Sequence, residues 1–208
     1  MSYIFPLILI VIAYLCGSIP IGYLVARLYG VDVTASGSGR TGGTNVLRVA
    51  GPLAAGLTVI GDVMKGMIPV YLMIAVGTSP LIVALAGTAA VIGHNHSIFL
   101  GFRGGAGAGT AIGALGGINF WAGLIAAILA VIALALTGYA SVLTTTIAVS
   151  GLLLLILFAV LGYIAYGYIL FGVLTLAVIA FALRGNYARL MSGTERKIGR
   201  KPNNAAEA

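Results

Sequence analysis

Runs of apolar residues long enough to cross a bilayer, separated by short polar segments, leave this chain few possible folds. About 20 such residues in a helix match a hydrocarbon core about 30 Å thick. The runs cover residues 3–26, 53–76, 120–136, 142–161 and 163–183, with shorter ones at 80–93 and 106–117. Of 208 residues, 61% are apolar and only 7% charged, which excludes an ordinary soluble globule. Backbone polar groups in lipid must be satisfied within their own segment, so the runs are helices and the chain is an all-α integral membrane protein. No repeat or compositional shift divides it. A single polytopic domain over residues 1–208 is expected, with a flexible basic and polar tail at about 198–208. The first 26 residues lack a basic n-region and run on into GSIPIGYLVAR, so they read as a retained helix rather than a cleaved signal. Pro20 should kink or unwind that helix near its end.

The net charge of +7 is distributed in a way that sets topology rather than binding nucleic acid. Arg27, Arg40 and Arg48 share one inter-helix segment, Arg103 lies in the next, and six Lys and Arg follow from Arg184 onward. Basic clusters beside apolar spans mark the cytoplasmic side. Counting 106–117 as a crossing gives seven transmembrane helices, with the N-terminus outside and the C-terminus cytoplasmic. The segments 27–51, 93–105 and 137–141 and the tail then share one face, and the opposite loops carry no charge. Six crossings would split the basic loops between faces. The single cysteine, Cys16, excludes an internal disulfide and reads as a small packing residue.

Polar stretches on that face carry the chemistry. In residues 36–48, glycines at 37, 39, 42 and 43 let backbone N–H groups converge on an anion, and Ser38, Thr44 and Asn45 add neutral donors. Thr44 or Asn45 could cap a helix opening at Val46. Arg40 and Arg48 supply guanidinium forks suited to phosphate. The plainer alternative is a Gly/Ser-rich connector whose arginines only fix topology. Asp62 and Lys65 stand three residues apart in an apolar helix and form either a structural ion pair or a pair orienting the 38–48 loop. Residues 93–110 read GHNHSIFLGFRGGAGAGT, in which Gly104, Gly105 and Gly107 allow close approach to an anion that Arg103 can clamp. The texture is that of a phosphate loop, but no GxxxxGK[ST] occurs. His94 can accept a proton or organise hydrogen bonds, whereas His96 points elsewhere if the segment is helical. Ser141, in the turn TGYAS, joins the substrate-binding candidates, and Arg184, Asn186 and Arg189 add donors in a stretch that otherwise reads as a basic tail. Two histidines and one buried cysteine make no metal site.

Taken in order, these pieces resemble the bacterial acyl-phosphate:glycerol-3-phosphate acyltransferase family. The likeness rests on GSIP at 17–20, GSGRTGGTNVLR at 37–48, DVMKG at 62–66, GHNHSIFLGFRGGAGAGT at 93–110 and GNYARLMSGTERK at 185–197. It implies a seven-helix enzyme of the cell membrane with one cytoplasmic active site and no cofactor. The reaction implied moves a fatty acyl group from acyl phosphate to the 1-hydroxyl of glycerol 3-phosphate, giving lysophosphatidic acid. Membrane lipid is the only other partner implied. Ser38, His94 and Asn186 are the catalytic candidates; Arg40, Thr44, Asn45, Arg48, Arg103, Gly104, Gly105, Gly107, Ser141 and Arg184 bind substrate. The chain departs from the family pattern at five positions, Arg103 keeping the charge of the lysine it replaces. FRGGAG stands for FKGGKG, placing Ala106 where a lysine is expected; Leu183 stands where the tail motif begins with histidine; Arg40 replaces asparagine and Gly43 alanine. Ala106 and Leu183 point to an alternative, a paralogue that binds a phosphorylated lipid or anion, or supports a partner enzyme, without catalysis. The intact 38–48 loop and the Asp62–Lys65 pair point against it.

Overall fold

The computed structural model describes residues 4–198; most of the expected flexible tail lies outside the described residues. The helices are α1 (Ile4–Ser18), α2 (Ile21–Leu28), α3 (Gly43–Ala75), α4 (Pro80–Asn95), α5 (Ala108–Ile118), α6 (Phe120–Thr137), α7 (Ala140–Val160) and α8 (Ile169–Met191), with 3₁₀ turns at Ile98–Leu100 and Tyr166–Tyr168. No strand forms among the described residues, only an isolated bridge between Ser97 and Arg103. Five stretches are long and apolar enough to cross a membrane: Ile4–Leu28, Gly43–Ala75, Phe120–Thr137, Ala140–Val160 and Tyr166–Met191. α4 and α5 are shorter apolar helices.

The expected interruption at GSIP is present. Pro20 has φ −86° and ψ 68°, and the helix restarts at Ile21. Opening the ladder there frees two carbonyls for other elements: Ser18 O accepts from Ser97 Oγ, and Ile19 O accepts from Lys65 Nζ at 2.8 Å. A second interruption falls inside α3. Gly51 sits at φ 87°, ψ 177°, immediately before Pro52, which cannot donate to the ladder. The helix therefore bends, and the turns from Gly43 to Ala50 form a polar foot that the expected span at 53–76 left out.

Backbone-close packing joins the helices in two pairs. A Cβ on Gly17 would strike the Ala90 carbonyl, and one on Gly93 the Tyr14 carbonyl, so α1 and α4 touch main chain to main chain. α3 and α5 do the same through Gly66 against the Thr110 carbonyl and Gly113 against the Val63 carbonyl. In lipid, where apolar burial drives little helix association, such contacts supply the dispersion energy that does. Around them Val70, Val83, Leu115, Ile147, Leu155, Phe171 and Ile179 are buried, while Leu7, Leu53, Ile60, Leu72, Ile128, Val131 and Leu153 face outward. Because both close pairs involve neighbours of the 93–110 stretch, they fix the depth at which it lies.

Several boundaries differ from the sequence reading. α4 continues through Asn95, so His94 is a helical residue and the irregular segment is 96–107. The 137–141 segment shrinks to Gly138 and Tyr139, with Gly138 left-handed at φ 78°, and Ser141 lies in the first turn of α7. The last helix starts at Ile169 and runs to Met191, so Arg184, Asn186 and Arg189 are helical rather than part of a tail. Arg, Asn and Tyr are tolerated in a helix, and the helix ends only near Gly193 at φ 71°.

Candidate active site

Asn45 organises the first polar loop. Its Oδ1 accepts from Ser38 N at 2.9 Å, and its Nδ2 donates to the carbonyls of Val33, Ser36 and Arg40 at 3.2, 3.0 and 2.9 Å. Helix α3 opens one turn earlier than expected, with Gly42 as its N-cap and no side-chain cap. Neither Thr44 nor Asn45 therefore caps a helix at Val46, and the Asn45 amide is committed to the loop instead. Gly37, at φ 63°, closes over it where a Cβ would collide with Oδ1. Residues 33–40 are thus wound around one buried amide, leaving Ser38 exposed at the rim, Thr44 half-buried, and Arg48 exposed on the polar foot of α3. Among the described residues Arg48 makes no hydrogen bond or ion pair. Asn45→Leu strands four main-chain groups, each bond contributing about 1 kcal/mol net. The expected loss is roughly 2–4 kcal/mol in denaturation experiments, with a rise in any ligand constant that depends on Ser38.

Behind the second loop lies a buried polar chain. Lys65 Nζ is 2.8 Å from Asp62 Oδ1, and His94 Nδ1 is 3.4 Å from the same oxygen. The three side chains come from α3 and α4 and are nearly inaccessible. Lys65 also ties to the α1–α2 break through Ile19 O. The pair's polar partners are therefore His94 and that break, not the 38–48 loop. His94 in turn sets the glycine loop: Gly105 N donates to His94 O at 3.1 Å. A Cβ on Gly104 would collide with that carbonyl, and one on Gly105 with His94 Nε2. Gly107, left-handed at φ 89°, then opens α5, whose first-turn N–H groups have no acceptor within the helix. Ala106 is half-buried and packs on the core. Arg103 is exposed at the outer end of the loop.

Residues after α8 fold back over this end of the bundle. Glu195, which the sequence reading left without a role, accepts from Asn186 Nδ2 at 2.6 Å, Ser141 Oγ at 3.4 Å and Arg189 Nε at 2.8 Å. The signal for it was slight: one carboxylate in an otherwise basic segment. Ile198 N donates to Gly138 O at 2.8 Å, and Arg40 donates to Ala182 O at 2.8 Å, so the loop, α8 and the returning chain are stitched together. Burial first, and then the like charge of Arg189, pull the Arg40 guanidinium below its ordinary value. Leu183 is buried in the bundle core, so at that position this chain packs rather than binds.

A cavity of about 340 Å³ lies where these parts meet, lined by Arg40, Asn95, His96, Gly104, Gly105 and Arg184 among others. Cations from two elements face a glycine-rich backbone across it, an arrangement suited to a phosphate group. A second cavity of about 370 Å³ between α7 and α8, lined by Val142, Thr145, Val149, Leu153, Tyr187 and Leu190, begins beside Ser141 and Asn186. The structure thus brings Arg40, Gly104, Gly105 and Arg184 to one cavity and Ser141 and Asn186 to one carboxylate. Arg48 and Arg103 stand apart, exposed.

An all-helical membrane bundle with phosphate-suited loops gathered at one end defines a class, and comparison with known proteins specifies it. The glycerol-3-phosphate acyltransferase family model matches residues 7–193. A glycerol-3-phosphate acyltransferase of Roseiflexus sp. (strain RS-1) is 40% identical over 91% of this chain and 94% of its own. One from Rubrobacter xylanophilus is 40% identical over 92% and 94%. The crystal structure of PlsY (YgiH), an integral membrane glycerol 3-phosphate acyltransferase, superposes in its glycerol 3-phosphate form with a TM-score of 0.85 at 32% identity, over 93% of this chain and 96% of that one. Its lysophosphatidic acid form gives 0.84. The chain belongs to the glycerol-3-phosphate acyltransferase family.

Proposed function

We propose that the protein moves a fatty acyl group from an acyl phosphate to the 1-hydroxyl of glycerol 3-phosphate, at the cytoplasmic face of the bacterial cell membrane. The hydroxyl oxygen attacks the acyl carbonyl carbon, and the bond from that carbon to the phosphate oxygen breaks with its electron pair leaving on phosphate. The hydroxyl proton passes to the departing phosphate or to water, giving lysophosphatidic acid and inorganic phosphate. A mixed anhydride carries its own good leaving group, so alignment of two bound anions and stabilisation of the developing oxyanion supply the rate. The observation that carries this reading is the meeting of Arg40 and Arg184 with Gly104 and Gly105 around one cavity.

In this reading Arg48, Ser38 and Thr44, outside that cavity, receive the phosphate of glycerol 3-phosphate, with Asn45 holding their loop. Asn186 and Ser141 orient the acceptor beside Glu195, and Arg103 and the Gly107 end of α5 face the donor. His94, 4% exposed, acts by holding the glycine loop rather than by reaching the hydroxyl. The acyl chain lies in the groove between α7 and α8. As a single polytopic domain, the chain crosses seven times, α1 and α2 counting as one span, with its N-terminus outside. Supporting this, residues 29–42 and 138–139 and the segment after α8 are joined at one end by hydrogen bonds such as Arg196 to Gly37 O and Ile198 to Gly138 O, and His96, Gly104 and Gly105 share a cavity with Arg40 at that end. α5, about 16 Å long by helical rise, crosses with the 96–107 segment leading into it, in which Ser97, Gly105 and Gly107 are buried against protein.

The test is turnover by purified protein of palmitoyl phosphate with glycerol 3-phosphate, read as phosphate release. Arg48→Ala should raise the KM for glycerol 3-phosphate about 10- to 100-fold, the range for a lost charge-assisted contact, without harming assembly. Full activity in that variant counts against the assignment, and no turnover by the unaltered protein would favour the non-catalytic binder.

A further inference from the structure

One group in the Arg40–Arg184 cavity has no part in the roles above. Asn95 is the last residue of α4 and is 6% exposed, yet among the described residues neither Nδ2 nor Oδ1 has a hydrogen-bond partner. Burying a primary amide without partners is unfavourable, and any apolar side chain at this helix end would avoid it. The side chain lies over the start of α5, where a Cβ on Gly107 would come 2.8 Å from Oδ1. It also lines the cavity alongside Gly104 and Gly105. Both amide atoms are shielded from solvent, so donation into the cavity requires the side chain to turn as a phosphoryl group enters, and with no hydrogen bond among the described residues nothing holds it back.

The charge around it comes from elsewhere in the chain. The loop's own position for a lysine is Ala106, which is turned onto the core. Among the described residues, Arg40 and Arg184 each use one terminal nitrogen on a single main-chain carbonyl, Ala182 O and Phe181 O respectively, leaving further N–H groups of each fork unengaged. Asn95, two part-used guanidiniums and the Gly104–Gly105 backbone thus border one volume.

We propose that Asn95 is a substrate-binding residue that donates to the phosphoryl group of the donor, with Arg40 and Arg184 supplying the charge that position 106 does not. This rests on the acyl-phosphate reading above and deepens it. It predicts a donor site whose selectivity for a phosphoryl dianion depends on a neutral amide at the end of α4.

The test uses the full-length purified enzyme with palmitoyl phosphate, glycerol 3-phosphate and inorganic phosphate, comparing the unaltered protein with Asn95→Leu and Asn95→Asp. Asn95→Leu should raise the KM for palmitoyl phosphate and the inhibition constant of inorganic phosphate about tenfold, as for one lost hydrogen bond to a charged group. The KM for glycerol 3-phosphate should stay within about twofold, and the Tm should hold or rise because an unpaired amide is removed. Asn95→Asp, which sets a carboxylate against the dianion, should weaken donor binding further. An unchanged donor KM in Asn95→Leu overturns the proposal, as does an equal rise in both KM values with a lowered Tm. If the unaltered protein shows no turnover, the proposed reaction fails, and inorganic phosphate still tests the pocket through Tm. Stabilisation of the unaltered protein but not of Asn95→Leu supports the site, and equal shifts overturn it.

Discussion

Gly105→Ala should lower kcat/KM by about 10²- to 10³-fold, because it forces apart the two elements that position the donor loop. The new Cβ would overlap His94 Nε2, and the imidazole has little room to yield. Its other nitrogen faces Asp62 at 3.4 Å, and the ring is buried between α3 and α4, whose neighbours are packed main chain to main chain. The loop must therefore move outward, breaking the bond from Gly105 N to His94 O and carrying Gly104 away from Arg40 and Arg184. A displacement near 1 Å suffices for about 10² in rate. Folding should survive, since the loop lies at the end of the bundle. Steady-state kinetics beside a thermal melt check this, and near-normal turnover in a folded variant would show that the His94–Gly105 contact does not set the site.

Asp62→Asn should damage stability more than any surface change. It leaves the Lys65 ammonium buried among neutral oxygens with no counter-charge, and an uncompensated buried charge costs about 3–5 kcal/mol. The pair as a whole is worth far less than either half, because desolvation offsets most of the attraction. The double variant Asp62→Asn, Lys65→Met should therefore recover most of the stability lost in the single one. It should not recover activity, since His94 still lacks its carboxylate. Thermal melts in detergent and turnover on the same samples separate the two effects. If the double variant melts as low as the single one, the unpaired lysine is not the cause.

How much of this was readable in advance differs from element to element. The spans expected at 120–136 and 142–161 match α6 and α7 closely, since unbroken apolar runs there end at Gly138 and Gly162, both left-handed. The break at Pro20 was equally plain. The foot of α3 is legible only as a helix opening at Val46, three residues late, and the last turns of α8 are not legible, because polarity there reads as the end of a helix. Thr44, Asn45, Arg184 and Asn186 are compatible with helix, and whether such residues continue one depends on what the helix packs against. Glu195 was overlooked because its partners Ser141, Asn186 and Arg189 lie on separate turns of two helices that only the fold brings together.

The amino-acid sequence by itself determined that the chain lives in a membrane as helices, that the first of them is interrupted at Pro20, and which stretches between them are polar. It did so because lipid permits almost no other backbone, and because glycine, proline and charge are expensive there without a purpose. Only the tertiary structure decided that Asn45 winds a loop rather than capping a helix, that Asp62 and Lys65 serve His94, and that Arg40 meets Arg184 across the glycine loop. Those are matters of which side chain reaches which partner through close-packed helices, and spacing along the chain does not encode them.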